Sequence, residues 1–182
     1  MSEDRRWPSR AHGGASVVLG HGLKGLICAG LLANLTATAA LAAPTCDPQA
    51  VYLRNPSGQI VRFSVEVADD QGERAIGLMN RSSLARSKGM LFIYDAPKHV
   101  AFWMKNTLIP LDMLFANAAG QVTQVRAMAE PMDTTPIDGG EDVQFVLELN
   151  GGMAAQLGLV AGSVLLHPAV DPSQAIWPCA DK

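Results

Sequence analysis

Lys105, Asp112 and Glu148 each interrupt an otherwise apolar run, the first two in FWMKNTLIPLDMLFA and the third in QFVLELN. Burying an unpaired charge is costly, so side chains placed this way must be paired, solvated or put to use. By strand alternation Lys105 and Asp112 lie opposite the Phe102/Met104 and Leu111/Met113/Phe115 faces. If those strands pair through the 106–110 connection, the ammonium and the carboxylate approach each other beside Trp103 and Asn106. That makes a small polar ligand site in a groove or barrel mouth, with Arg74 available either for ligand capture or to salt-bridge Glu148. A second chemistry is acid/base hydrolysis by Asp112 and Glu148, which requires carboxyls roughly 5–10 Å apart across an open cleft. The structural alternative is a plain ion pair, with Asn106 serving the turn backbone. No catalytic residue is assigned, and whether the chain is an enzyme stays open.

Other chemistries have less footing. Met128 and Met132 lie in a polar segment and thioethers suit Cu(I), but neither His99 nor His167 stands at ligand spacing to them. Zinc lacks clustered Cys and His. The acidic residues Glu130, Asp133, Asp138, Glu141 and Asp142 lack the alternating calcium-loop pattern. Neither a metal nor a cofactor is expected. There is no G-x-S-x-G, P-loop, dinucleotide fingerprint or H-E-x-x-H.

The elements that must position these residues are mostly strands. Gln59–Ala68 alternates Phe63, Val65 and Val67 with Arg62, Ser64 and Glu66. Asp70-Gln71-Gly72-Glu73 has the form of a capping box and predicts a short helix through Met79. Gly89–Tyr94 and His99–Lys105 read as two strands joined by a turn at Asp95–Lys98. Leu111–Ala116 and Gln121–Arg126 read as a hairpin about Asn117–Gly120. Residues 127–142 read as a long surface loop, and Val143–Leu149 as a strand with Phe145, Leu147 and Leu149 inward. Asn150 is the expected cap of a helix over Gly151–Leu157, followed by a left-handed Gly158 and a last strand, Ser163–Leu166. The sum is an α+β domain, mostly antiparallel, with about eight short strands and two short helices curling into a small barrel or strongly bent sheet.

The chain has 182 residues, 48% of them hydrophobic, which suits one ordinary domain. Its first 42 residues read as a signal peptide: basic residues, the apolar run GLICAGLLANL, then Ala40-Leu41-Ala42 as an A-x-A cleavage site. An uncleaved signal would be its one membrane contact. Cleavage leaves residues 43–182, roughly 140 residues, for a periplasmic or secreted domain. These carry 10 Lys/Arg and 15 Asp/Glu, a formal charge of 10 − 15 = −5, and no basic stripe for nucleic acid. Cys46 and Cys179 remain at opposite ends of it. In an oxidising compartment a bridge between them is the economical reading, and unpaired or intermolecular thiols are the alternative.

The blocks GERAIGLMNRSSL, GMLFIYD, FWMKNTLIPLDMLFAN, VLELNGG and GLVAGSVL resemble, in order, those of the domain of unknown function 192 family, over roughly residues 60–166. FWMKNT-x-IPLD is the most specific of them. The resemblance implies a small, often exported, compact β-rich barrel-like domain with a helix or two, and it supplies no mechanism. Gly162-Ser163 stands where the family commonly has Gly-Asp, which puts a functional role for that position in doubt. Residues and resemblance together lead to an exported binding or accessory domain, meeting a small ligand or envelope partner near Trp103, Lys105, Asn106, Asp112, Glu148 and Arg74. The alternative is a hydrolase acting on envelope carbohydrate.

Overall fold

A computed structural model describes residues 45–180; the expected signal peptide lies outside them. Seven strands form one sheet: β1 (Ala50–Arg54), β2 (Ile60–Ala68), β3 (Lys88–Phe102), β4 (Leu111–Ala116), β5 (Val122–Ala129), β6 (Ile137–Asn150) and β7 (Val164–Leu166). Their order is β5-β4-β6-β3-β2-β1-β7. Every neighbouring pair is antiparallel except β2 and β3, which run parallel across the crossover that holds helix α1 (Gln71–Ile76). The sheet curls until its edges meet, where Gln121 bridges Val164 and the Leu165 N–H donates to the Gly120 carbonyl.

Curling gives the sheet two apolar faces. The inner one packs Val51, Leu53, Phe63, Leu91, Phe145 and Leu149 together. The outer one gathers Met90, Phe92, Val100, Met113, Phe115 and Val146 under α1 and the loops around it. Strand β4 is buried on both faces, so its alternation divides it cleanly: Leu114 and Ala116 point inward, Met113 and Phe115 outward. Packing is close enough at Gly139 that an added Cβ would lie 2.4 Å from the Phe115 ring.

The α+β, mostly antiparallel, strongly curved sheet with two short helices is the predicted architecture, with differences in the elements. The two strands expected over Gly89–Tyr94 and His99–Lys105 are one, β3, whose pairing with β6 shifts register between Ile93 and Lys98. What reads locally as a turn at Asp95–Lys98 is therefore an irregularity inside a strand, and the strand count is seven. Lys105 falls beyond the strand's end. The expected loop over 127–142 is largely strand as well, leaving only residues 130–136 between β5 and β6.

Both helix ends follow local chemistry in part. At α1 the Glu73 N–H donates to Asp70 Oδ1 at 2.8 Å, while Glu73 Oε2 accepts from the Asp69 N–H at 3.2 Å, a capping box displaced by one residue. The helix stops at Ile76 rather than Met79, because Gly77 takes a φ of 51°. Helix α2 (Met153–Gln156) is not capped by Asn150, whose side-chain amide instead donates to the Leu84 and Ala85 carbonyls. Gly158 is left-handed, as expected.

The two ends of the described residues are tied to each other. Cys46 and Cys179 are bridged, with Cα atoms 5.6 Å apart, beside a small cluster of Tyr52, Val164, Leu166 and Trp177. Buried His167 receives the Ala169 N–H on Nδ1 and so donates from Nε2 to the Pro48 carbonyl, 3.0 Å away. Burial lowers its pKa and keeps the ring neutral. No helix among the described residues is long and apolar enough to cross a membrane.

Candidate functional site

Strand register decides what the two carboxylates can do together. Asp112 pairs with Leu149, and the next residue, Met113, pairs with Glu148. Directly opposed residues share a face, so Asp112 points inward with Leu149 and Glu148 points outward with Met113. The two carboxyls are on opposite sides of the sheet, and an acid/base pair made from them is ruled out.

Asp112 is fully buried, with every lone pair it needs directed at main chain. Its Oδ1 accepts from the Met128 N–H at 2.8 Å and the Gly152 N–H at 3.0 Å, and its Oδ2 from the Ala154 N–H at 2.7 Å. Gly152 and Ala154 open α2, so a strand residue caps the helix from a distance. Met128 reaches Asp112 because β5 carries an extra residue there: Leu111 faces Ala129 while Met113 faces Arg126, and Met128 adopts a φ of 51°. This is a structural carboxylate. Asp112→Asn should lower the unfolding free energy in urea by about 2–3 kcal/mol, since hydrogen bonds to a charged group are strong and the amide opposes at least one of the three donors. A loss under about 0.5 kcal/mol would refute that role.

Lys105 does not pair with Asp112 either. It is exposed, and its Nζ lies 5.2 Å from the centre of the Trp103 ring. Asn106 takes a left-handed φ of 55° and its carbonyl accepts from the Asn80 N–H at 2.7 Å, fastening this turn to the segment after α1. The expected polar cluster therefore separates into a surface cation–π pair, a turn residue and an internal cap.

Glu148 is different. It is 4% exposed, its cross-strand neighbours are Met90 and Met113, and its Oε2 has no hydrogen-bond partner. It is the only such buried side-chain atom among the described residues. Burial raises its pKa to about 8, so the carboxyl is protonated at neutral pH. It lines an open cleft of about 100 Å³ between α1, residues 77–79 and the end of β3. Phe92, Tyr94 and Phe102 form aromatic walls, with Thr107 beside them, and Trp103 stands at the mouth, 50% exposed.

Arg74, on α1, shares this cleft without touching Glu148. Its Nη1 donates to the carbonyls of Asp69 and Ile93, the latter at 2.8 Å, and its guanidinium lies 5.1 Å from the Tyr94 ring centre. The Tyr94 hydroxyl is influenced by both groups. Burial pushes its pKa up, the Arg74 charge opposes that, and Glu148 adds to it.

Of the six candidate residues, Arg74, Trp103 and Glu148 come together; Lys105, Asn106 and Asp112 do not line the cleft. Tyr94 and Thr107 were not singled out from sequence. Tyr94 had a legible signal, since Met90, Phe92 and Tyr94 alternate onto one face of a strand. That this is also the face of Glu148 depends on the β3–β6 register. Ser163, the departure from the family pattern, is buried and accepts the Val160 N–H on its hydroxyl at 3.0 Å, a turn role.

Comparison with known proteins agrees with the fold. The profile of the family described as Uncharacterized ACR, DUF192, matches residues 53–167. A solved structure from Sinorhizobium meliloti, described as a candidate transcription regulator, is 38% identical with a TM-score of 0.64, over 68% of this chain and 96% of that one. A second, a protein of unknown function from Novosphingobium aromaticivorans, is 37% identical with a TM-score of 0.62, over 69% and 93%. A search of curated proteins finds no match. With the family profile spanning most of the described strands and two solved relatives sharing the fold, this chain belongs to the domain of unknown function 192 family.

Proposed function

We propose that this protein is an exported binding or accessory domain that takes a small ligand in the cleft between α1 and the end of β3. One observation carries the reading: a buried carboxyl, Glu148, opens on that cleft without a partner, and native structures leave few such groups. A perturbed titratable group in a concave, aromatic-lined site is the usual mark of a binding centre. Export is supported by the signal-like first 42 residues and by the Cys46–Cys179 bridge, which is compatible with an oxidising compartment. A role in transcription, which the description of the Sinorhizobium relative suggests, draws no support from the formal charge of −5 over residues 43–182.

The test is a fragment screen on the purified chain, read by amide chemical shifts and Trp103 fluorescence. Hits should cluster on Leu78, Ala101 and Trp103, and Trp103→Ala should weaken them about tenfold, as expected for loss of a half-exposed aromatic contact. Hits scattered over the surface, with none at these residues, would remove the cleft as the binding site.

A further inference from the structure

Accepting the cleft as a ligand site, its chemistry narrows what the ligand carries. We propose that it takes a small organic cation, a primary ammonium on a short apolar stem, with Glu148 as its counter-ion. Once ionised, Glu148 needs a donor that no described residue supplies: its Oε2 is the unpartnered buried atom, and an ammonium is the strongest donor of suitable size.

Among the described residues, no group fills that role. From α1, Arg74 is committed to two main-chain carbonyls and the Tyr94 ring. From β3, Tyr94 is the titratable neighbour, with Lys98 lying over its ring at 5.3 Å. Lys105 lies over Trp103 at the rim. From β4 the outward side chains are Leu111, Met113 and Phe115. Beyond Met90, Glu66 on β2 is held by Arg81. Among the described residues, an ionised Glu148 has no cation within salt-bridge distance.

The walls suit the same ligand. Phe92 and Phe102 meet edge to face with centroids 5.1 Å apart, and aromatic faces attract cations while desolvating a stem. The rims of the site already hold ring–cation pairs, Arg74 and Lys98 on Tyr94 and Lys105 on Trp103. About 100 Å³ holds on the order of three waters, a volume matched by an ammonium with a few carbons.

Proton linkage makes the proposal testable. Glu148 stays protonated up to about pH 8 when empty, so a cation binding below that pH must release one proton to solvent. Affinity should then rise about tenfold per pH unit from pH 6 to 7. The probes are propylammonium chloride, 1-propanol and sodium propionate, titrated into the full chain at pH 6, 7 and 8.5. Binding is read by shifts of the Leu78 and Trp103 amides and by the carbon resonance of the Glu148 carboxyl. Propylammonium should bind with that pH dependence and move the Glu148 titration downward, and Glu148→Gln should weaken it at least tenfold at pH 8.5. If the variant fails to fold, the wild-type pH series decides alone. Binding of propanol or propionate at the cleft with none from propylammonium, or propylammonium binding indifferent to pH, overturns the cation while leaving the cleft a ligand site. Silence from all three at these residues overturns the cation proposal and withdraws support from the site itself.

Discussion

Glu148→Gln should make the protein more stable above pH 7 and flatten its pH dependence. The group titrates near 8 when folded, against a reference of 4.5. Between those values the folded state holds a proton that the unfolded state has lost. Stability must then fall as pH rises, by about 1.4 kcal/mol per unit. The contribution is fully present below pH 4.5 and gone above 8, where Glu148 is a buried carboxylate with no partner among the described residues. Glutamine is neutral throughout and nearly isosteric. At pH 5 the two proteins should agree within about 1 kcal/mol, the difference being the unsatisfied amide donor. At pH 8.5 the variant should lead by up to about 4 kcal/mol. Urea unfolding at pH 5, 7 and 8.5 measures both. His167 contributes the opposite slope at the acid end, because its pKa is depressed in the fold and stability is lost as pH falls through its usual range. It is common to both proteins, so the difference between them isolates Glu148. A difference that does not change with pH would show that the carboxyl is hydrated in solution.

That Glu148 occupies a face otherwise filled with Val146 and the outer cluster was legible, because a seven-residue alternation in QFVLELN leaves no other choice. The same rule applied to LDMLFA divides β4 correctly. What alternation cannot supply is register, and register separates Asp112 from Glu148. A one-residue slip of β4 on β6 would have put the two carboxyls on one face. The role of Asp112 is illegible for a related reason. Its partners, Met128, Gly152 and Ala154, lie between 16 and 42 residues away, and a main-chain donor leaves no mark in the sequence. A side chain buried for capping looks the same on paper as one buried for catalysis. Lys105 differs: strand alternation does not hold past Phe102, where the chain has already left the strand and turns through the left-handed Asn106. The irregularity at Asp95–Lys98 is hidden because Asp, Ala, Pro and Lys are all depleted in strands, and only the long partner strand β6 carries β3 across them. The parallel pairing of β2 with β3 was likewise invisible locally, since it depends on the crossover through α1.

Removing the Cys46–Cys179 bridge should have a still larger effect, a loss of about 5 kcal/mol for the Cys46→Ser, Cys179→Ser double variant. The cross-link spans 133 residues, so it restricts the unfolded chain about as much as one bridge can in a domain of this size. The folded state has other means of holding its ends. His167 bonds the Pro48 carbonyl, Arg54 lies 4.8 Å from the Trp177 ring centre, and β7 pairs with β1. The folded structure should therefore survive the substitution, with the change residing in the unfolded ensemble. Two measurements separate this from simple loss of packing. The urea m-value should rise, because an unbridged chain expands and exposes more surface. Amide exchange at β3, β4 and β6 should accelerate uniformly, since their opening requires global unfolding, while exchange near Trp177 should accelerate further. An unchanged m-value, with faster exchange confined to the C-terminal segment, would place the effect of the bridge in the folded state instead. The distinction bears on redox conditions. A domain whose bridge acts on the unfolded chain gains its stability only once oxidised, so it should resist denaturation under oxidising conditions and be markedly weaker under reducing ones.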